Sequence, residues 1–216
     1  MYETALSLLK DIHELGYDAY IIGGYPRDQY LGIYNSDIDI CTSLSPELIE
    51  QYFVVKESHS QYGSYVVERN AYLFEVTTFR KDYYLKDRYP QIEFVSSLQE
   101  DLQRRDFVIN TLCIDDQGNY VDLLEARKDM DDKIIRMIGD PVIRFKEDPL
   151  RIIRALRFAA DLEFDLDEKI KEAIISHKEL LKALSYSKMQ KEIIKVKNIK
   201  NWNCWVQLLD LKAYLP

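Results

Sequence analysis

The chain has 216 residues, 47% of them apolar and 12% aromatic, and carries a formal net charge of -8. That composition can bury a core in one or two domains, which excludes a disordered tail. The acidic balance excludes a uniformly basic nucleic-acid binder, so a phosphate-bearing partner must meet local clusters of Arg and Lys.

The first segment, "MYETALSLLKDIHELG", has the period of an amphipathic helix and no cleavage site, and no later apolar run approaches the ~20 residues of a membrane span. No membrane partner is expected, and the protein is read as cytoplasmic. Three cysteines, Cys41, Cys113 and Cys204, lie far apart in apolar surroundings without CxxC spacing. They are read as buried thiols of a reducing compartment.

Next, the apolar strand "DAYIIGG" runs into Gly23 and Gly24, and a short helix opens with Pro26 and Arg27. Glycines let the backbone approach a ligand, and amides at a helix start can receive a phosphate. Pro26 suits an early helix position, and Arg27 adds a cation. By itself Gly-Gly is equally a tight strand-to-helix turn. The chain then returns as the predicted strand "SDIDICT", with Asp37 and Asp39 at alternate positions. Alternate residues of a strand share a face, so both carboxylates point the same way, about 7 Å apart along the chain. A like-charged pair of this kind calls for a metal or an arginine, and its oxygens suit Mg²⁺. The plain alternative is an exposed edge strand with solvated acids, against which Ile38 and Ile40 predict packing on the other face. In "YLFEVTTFR", Glu75 is either a further carboxylate from a neighbouring strand or a surface acid.

The stretch "FRKDYYLKDRYPQIEF" is charged, tyrosine-rich and aperiodic, which predicts a mobile loop. Its tyrosines are candidates for stacking on a base or for packing on their own scaffold. "RRDFVIN" offers Arg105, Asp106 and Asn110 at a helix-to-strand turn. Near residue 140 the short β-rich runs give way to helical ones, which predicts a head over 1–140 and a helical segment over 141–216, with no flexible linker or repeat. Along "KEDPLRIIRALRF", read as one helix, Asp148, Arg151, Arg154 and Arg157 recur every third residue, each step turning the stripe about 60°. Charges on a mostly apolar helix need partners, and internal Asp–Arg pairing or solvation would satisfy them. "SYSKMQKEIIKVKNIKNW" is either a solvated lysine face or a surface for RNA phosphates. His13, His59 and His177 share no motif and are given no role.

Gly23-Gly24, a spacer of a dozen residues and Asp37-Ile38-Asp39-Ile40 resemble the signature of the polymerase-β-like nucleotidyltransferases. With "FEVTTFR", "RYPQIEFVSSLQEDLQRRDFVINTLCIDDQG" and "RFKEDPLRIIRALRFAADLEF" following in order, residues 16–165 resemble class II tRNA nucleotidyltransferases, the CCA-adding enzymes, and their bacterial poly(A) polymerase relatives. The resemblance implies an α+β fold, a polymerase-β-like head with a mixed sheet and flanking helices, followed by an all-helical neck with a nucleotide-selecting helix. It implies that Asp37 and Asp39 hold two Mg²⁺ ions for in-line phosphoryl transfer, with Glu75 in the place of a third acid. Gly23, Gly24, Arg27 and Arg105 are expected at the nucleotide, with Asp106 and Asn110 fixing sugar or loop geometry.

Asp148 and Arg151 resemble the EDxxR pair that replaces a nucleic-acid template. Asp148 accepts from the exocyclic amine common to cytosine and adenine, and Arg151 donates to their ring nitrogen. Uracil and guanine present the opposite polarity, leaving buried groups without partners. Arg154 and Arg157 are expected to support the pair or to hold triphosphate. The implied activity is Mg²⁺-dependent, template-independent addition of CMP and AMP, from CTP and ATP, to tRNA 3′ ends. CC-adding, A-adding and poly(A)-adding enzymes are the sibling readings, and a non-catalytic RNA- or nucleotide-binding module is the reading outside enzymes. Pro26 replaces a small aliphatic residue of the family's GGxVRD pattern, stiffening the turn, and Glu163 replaces the glycine of its "RLGF". Family members continue into body and tail domains, so the chain is expected to be a head-and-neck fragment or an unusually small enzyme, monomeric or homodimeric.

Overall fold

Ala5, Leu8, Leu9 and Ile12 follow the spacing of one helical face, and in the computed structural model, which describes residues 1–85 and 90–215, they form the buried side of α1 (Tyr2–Glu14). The helix belongs to the first of two compact units, made of Met1–Leu85, Pro90–Arg105 and Asn110–Arg127. After it come β1 (Ala19–Ile22), α2 (Gly24–Tyr30), β2 (Asp39–Thr42), α3 (Pro46–Tyr52), β3 (Val54–His59), β4 (Ser64–Arg69) and β5 (Tyr72–Thr78). Then follow β6 (Arg80–Tyr83), β7 (Gln91–Phe94), α4 (Leu98–Arg104), β8 (Cys113–Ile114) and β9 (Tyr120–Val121).

Seven strands make one sheet in the order β3-β4-β5-β2-β1-β8-β9. It is mixed, because β2 runs parallel to β5 while the other neighbours are antiparallel. Alternation sorts its residues between two cores. Ile21, Ile40, Tyr65, Phe74 and Val76 pack with the apolar side of α1, and Ile22, Cys41, Phe79 and Cys113 pack with Leu98 and Leu102 of α4. Ile38 joins the first of these cores, as the expected buried face of the strand requires. The ladder, however, begins at Asp39, so Asp37 precedes the strand instead of lying within it.

The predicted mobile loop is largely a hairpin. β6 pairs antiparallel with β7 from Arg80↔Phe94 to Tyr83↔Gln91, while residues 86–89, Tyr89 among them, lie outside the described residues. Polar contacts hold it, with Tyr83 Oη donating across the strands to Glu93 at 2.7 Å and Lys81 paired with Glu100 of α4. Without an apolar alternation, its period is invisible in sequence. Cys204 is exposed and corrects the expectation of three buried thiols.

The second unit takes Asp106–Ile109 and residues 128–215. α5 (Ala126–Asp131) crosses into it; β10 (Ile134–Ile135), α6 (Pro141–Glu147), α7 (Leu150–Leu162), β11 (Asp165–Leu166), α8 (Glu168–His177), α9 (Tyr186–Ile193) and α10 (Ile199–Leu208) follow. β10 and β11 form a small parallel ladder among the helices.

The run read as one helix over 146–158 is broken. Pro149 disfavours helical backbone at its predecessor, and Asp148 has φ -146° and ψ 101°, ending α6 before α7 begins. Asp148 and Arg151 therefore do not share a helix. At the far end of α7, Glu163 is left-handed, with φ 58°, which is the backbone reason a glycine suits that place. Among the described residues no helix is long and apolar enough to cross a membrane.

Candidate active site

Gly23, with φ 85°, turns the end of β1 into α2. A Cβ there would stand 3.1 Å from Asp39 Oδ2, so the turn comes this close to the carboxylate because the residue is glycine. In register, Asp39 faces Ile22 of β1 on one side and Glu75 of β5 on the other. Sheet pairing thus brings Asp39 and Glu75, 36 positions apart in sequence, onto neighbouring strands. Ser64 Oγ donates to Glu75 Oε1 at 3.0 Å. Among the described residues no side chain donates a hydrogen bond or an ion pair to Asp37 or Asp39. Burial, followed by the Asp37 and Glu75 carboxylates, pushes the Asp39 carboxyl up to about 7, with Arg105 opposing them. A half-buried acid that resists ionisation beside two others is electrostatically suited to a cation.

Arg27 is buried and held on three sides. Its Nε donates to Asp28 Oδ1 at 2.8 Å, Nη2 pairs with the same oxygen at 2.6 Å, and Nη1 donates to Asn110 Oδ1 at 2.6 Å. Asp28, which the sequence reading passed over, is buried as well. Gly24 makes room beside it, since a Cβ at this position would lie 3.3 Å from Asn35 Nδ2 and 3.6 Å from Arg27 Nη2.

A cavity of about 400 Å³ opens beside Asp39 and Glu75, with Arg80, Arg104, Arg105, His59, Tyr62 and Ser64 in its walls. Its size is in the range of small-molecule sites. Arg105 is positioned by Asp101, also missed from sequence, whose side chain is fully buried. Asp101 Oδ2 accepts from Arg105 Nε at 3.1 Å and Nη2 at 2.9 Å; Oδ1 accepts from Arg104 Nε at 2.8 Å and the Arg80 amide at 3.2 Å. Burial alone would raise the Asp101 carboxyl, but Arg105 and Arg104 hold it below its ordinary value. From α4, one buried carboxylate thus fixes two of the guanidinium groups in the cavity wall.

In the second unit, Asp148 Oδ1 accepts at 3.2 Å from the amide of Leu150, the first residue of α7. Arg151 is buried, donating from Nη1 to the Arg144 carbonyl at 2.8 Å and to Glu147 Oε2 at 2.7 Å. Arg154 pairs with Asp106 Oδ2 at 2.7 Å, and Arg157 Nε donates to Glu192 Oε1 at 2.7 Å while stacking over Phe158. Internal pairing of the arginine stripe is thus what the fold provides, though with Asp106 and the buried Glu192. Glu192 had no sequence signal, lying in a lysine-rich helix that reads as a solvated face.

The donor chemistry can be matched to a metal. Among the described residues no group of three or more His, Cys, Asp or Glu side chains is arranged to hold an ion. Asp37 and Asp39 supply a pair of hard oxygen donors, which fits Mg²⁺, an ion that keeps waters and takes the rest of its shell from substrate phosphates.

The family model described as the poly A polymerase head domain matches residues 19–136. The CCA-adding enzyme of Lactobacillus helveticus is 39% identical over 91% of this chain and 50% of its own length. That of Streptococcus mutans is 39% identical over 100% of this chain and 55% of its own. The chain spans about half the length of the curated relatives it matches. Among solved structures, the Bacillus stearothermophilus CCA-adding enzyme in complex with CTP superposes with a TM-score of 0.92 at 35% identity, over 100% of this chain and 54% of that one. A tRNA nucleotidyltransferase complexed with a primer tRNA and an incoming ATP analogue superposes with a TM-score of 0.75 at 27% identity, over 94% of this chain and 60% of that one. With a mixed sheet, a glycine turn against an acid pair and a match across more than half its residues, the chain belongs to the poly A polymerase head domain family.

Proposed function

We propose that the protein is a metal-dependent, template-independent nucleotidyltransferase that adds CMP and AMP, from CTP and ATP, to the 3′ end of tRNA. The observation that carries this reading is the acid pair, Asp37 with the half-buried Asp39, the latter set against the glycine turn, whose carboxylates accept no side-chain hydrogen bond among the described residues. The relatives named above, one with CTP and one with primer tRNA and an ATP analogue, support the substrates. Mg²⁺ at the pair would lower the pKa of the primer hydroxyl and offset charge on the departing pyrophosphate.

The remaining work falls to the chain's own residues. Asp37 and Asp39 hold the ion, and Glu75 adds to the negative field that draws it. Gly23 and Gly24 let the backbone approach the triphosphate, and Arg27 and Arg105, pre-set by Asp28 and Asp101, meet its charge without reorganising. Asp106 and Asn110 act as anchors for Arg154 and Arg27. Asp148 and Arg151 select the base by polarity, with Arg154 and Arg157 buttressing the helix that bears Arg151. The head extends over 1–140 and the nucleotide-selecting segment over 141–216, and the protein works in the cytoplasm.

The test is incorporation of labelled CTP and ATP, with Mg²⁺, into tRNAs lacking A, CA or CCA. Product length separates CCA addition from CC-, A- or poly(A) addition. Nucleotide binding without incorporation on any primer would overturn the reading in favour of a binding module. Asp39→Asn is expected to lower incorporation by about 100-fold or more with folding kept, as removal of a ligand to a catalytic metal requires.

A further inference from the structure

We propose that Asn35 is a positioning residue that fixes the backbone carrying the Asp37 carboxylate, an inference that rests on the metal-dependent function above and adds a residue to its machinery. The need for it follows from the fold. Residues 33–38 lie outside the ladder, and pairing of β2 starts only at Asp39. Strand hydrogen bonds therefore fix one acid of the pair and not the other.

Asn35 supplies the missing restraint. Its Oδ1 accepts from the Asp37 amide at 2.8 Å, and its Nδ2 donates to Asp28 Oδ2 at 2.8 Å. The other Asp28 oxygen is engaged by Arg27, which in turn donates to Asn110. A relay thus runs from Asn110 through Arg27, Asp28 and Asn35 to the backbone of Asp37, and its anchor, the Arg27–Asp28 pair, is buried. The chemistry is specific to an amide side chain. Asn offers an acceptor and a donor on one short planar group. A carboxylate in its place would set like charge against Asp28, and an aliphatic residue would release Asp37. Orientation follows as well, because a flipped amide would turn oxygen toward the Asp28 carboxylate. Gly24 serves the same relay by leaving space for the amide nitrogen, 3.3 Å from where its Cβ would stand.

Groups that orient the ligands of a metal typically change affinity or activity by about 10–100-fold when removed. Two measurements on the full chain test the role. One is the Mg²⁺ concentration for half-maximal CTP incorporation, with kcat and the KM for CTP. The other is direct Mn²⁺ binding by electron paramagnetic resonance, which needs no turnover.

Asn35→Ala and Asn35→Asp are expected to raise the half-saturating Mg²⁺ and the Mn²⁺ dissociation constant by about 10-fold or more, with a smaller change in the KM for CTP. The double substitution Asp28→Asn/Asn35→Asp reverses the direction of the bond and should bring the Mn²⁺ dissociation constant back toward that of the parent relative to Asn35→Asp alone, a coupling that independent sites would not show, while turnover remains lowered through Arg27. Parent-like metal constants in both single variants, or a melting-temperature loss alone, would overturn the inference while leaving an active parent intact. A parent that binds Mn²⁺ and shows these shifts but incorporates no nucleotide would overturn the proposed function and leave the positioning role standing. Absence of Mn²⁺ binding by the parent would overturn both.

Discussion

Asp101 organises this site from outside the motifs. It neutralises two guanidinium groups from full burial and also caps the Arg80 amide. Removing one partner of a buried pair leaves the other charge uncompensated, at about 3–5 kcal/mol. Asp101→Ala should therefore lower the urea-unfolding free energy by that amount, whereas replacing an exposed acid such as Glu179 should leave the transition close to that of the parent. Arg151→Ala tests selectivity. On the proposed selection of the base by Arg151, losing the donor removes a mismatch penalty of about 1–3 kcal/mol, so UTP and GTP should gain about 5–150-fold relative to CTP and ATP in competition assays. What sequence reveals at this scale is local syntax: the glycine pair, the alternate aspartates and the arginine after the turn. Glu192 was missed because its partner Arg157, 35 positions away, meets it only in the fold, whereas Asp28 and Asp101 pair with near neighbours in sequence and were missed because nothing local marks those pairs as buried. A charge on a charged helix gives no sign of burial.

At the scale of elements, the apolar periods identified α1, β1 and the β4–β5 run, each of which packs an alternating or 3.6-residue face into a core. β3 and the β6–β7 hairpin escaped because their burial is slight and their cross-strand pairs are polar. The α6–α7 break was obscured by a charge spacing of three that matched a single helix, although Pro149 marked the interruption. The end of α7 makes its own prediction. Glu163 occupies a left-handed position that costs a non-glycine residue about 1 kcal/mol, and its bond from Asn198 Nδ2, at 3.1 Å, is exposed and worth little. Glu163→Gly should raise stability by about 0.5–1 kcal/mol, seen as a higher melting temperature. A lower one would mean the Asn198 contact outweighs the strain.

For the molecule as a whole, the raised Asp39 carboxyl links stability to pH. Folding lifts this acid from 3.8 to about 7, so between those values the folded state keeps a proton the unfolded state has released. Stability in the absence of metal should thus fall as pH rises through that window, by up to about 1.4 kcal/mol per pH unit from this group. An ion on the ionised pair reverses the penalty. Thermal melts should show Mg²⁺ stabilising the protein more at pH 8 than at pH 5, and an equal effect at both would separate the ion from Asp39.

The short passage of Asp106–Ile109 into the second unit, between two stretches of the first, bears on how the chain can be divided. Phe107, Val108 and Ile109 are buried, with Val108 N bonded to the Arg136 carbonyl and Ile138 N to that of Asp106. A cut after Arg127 would strand these apolar side chains in water and remove the backbone acceptors and donors they were matched to. Scissors placed there would yield sticky, incompletely folded halves, because the ribbon is stitched through both lobes before it finishes the first.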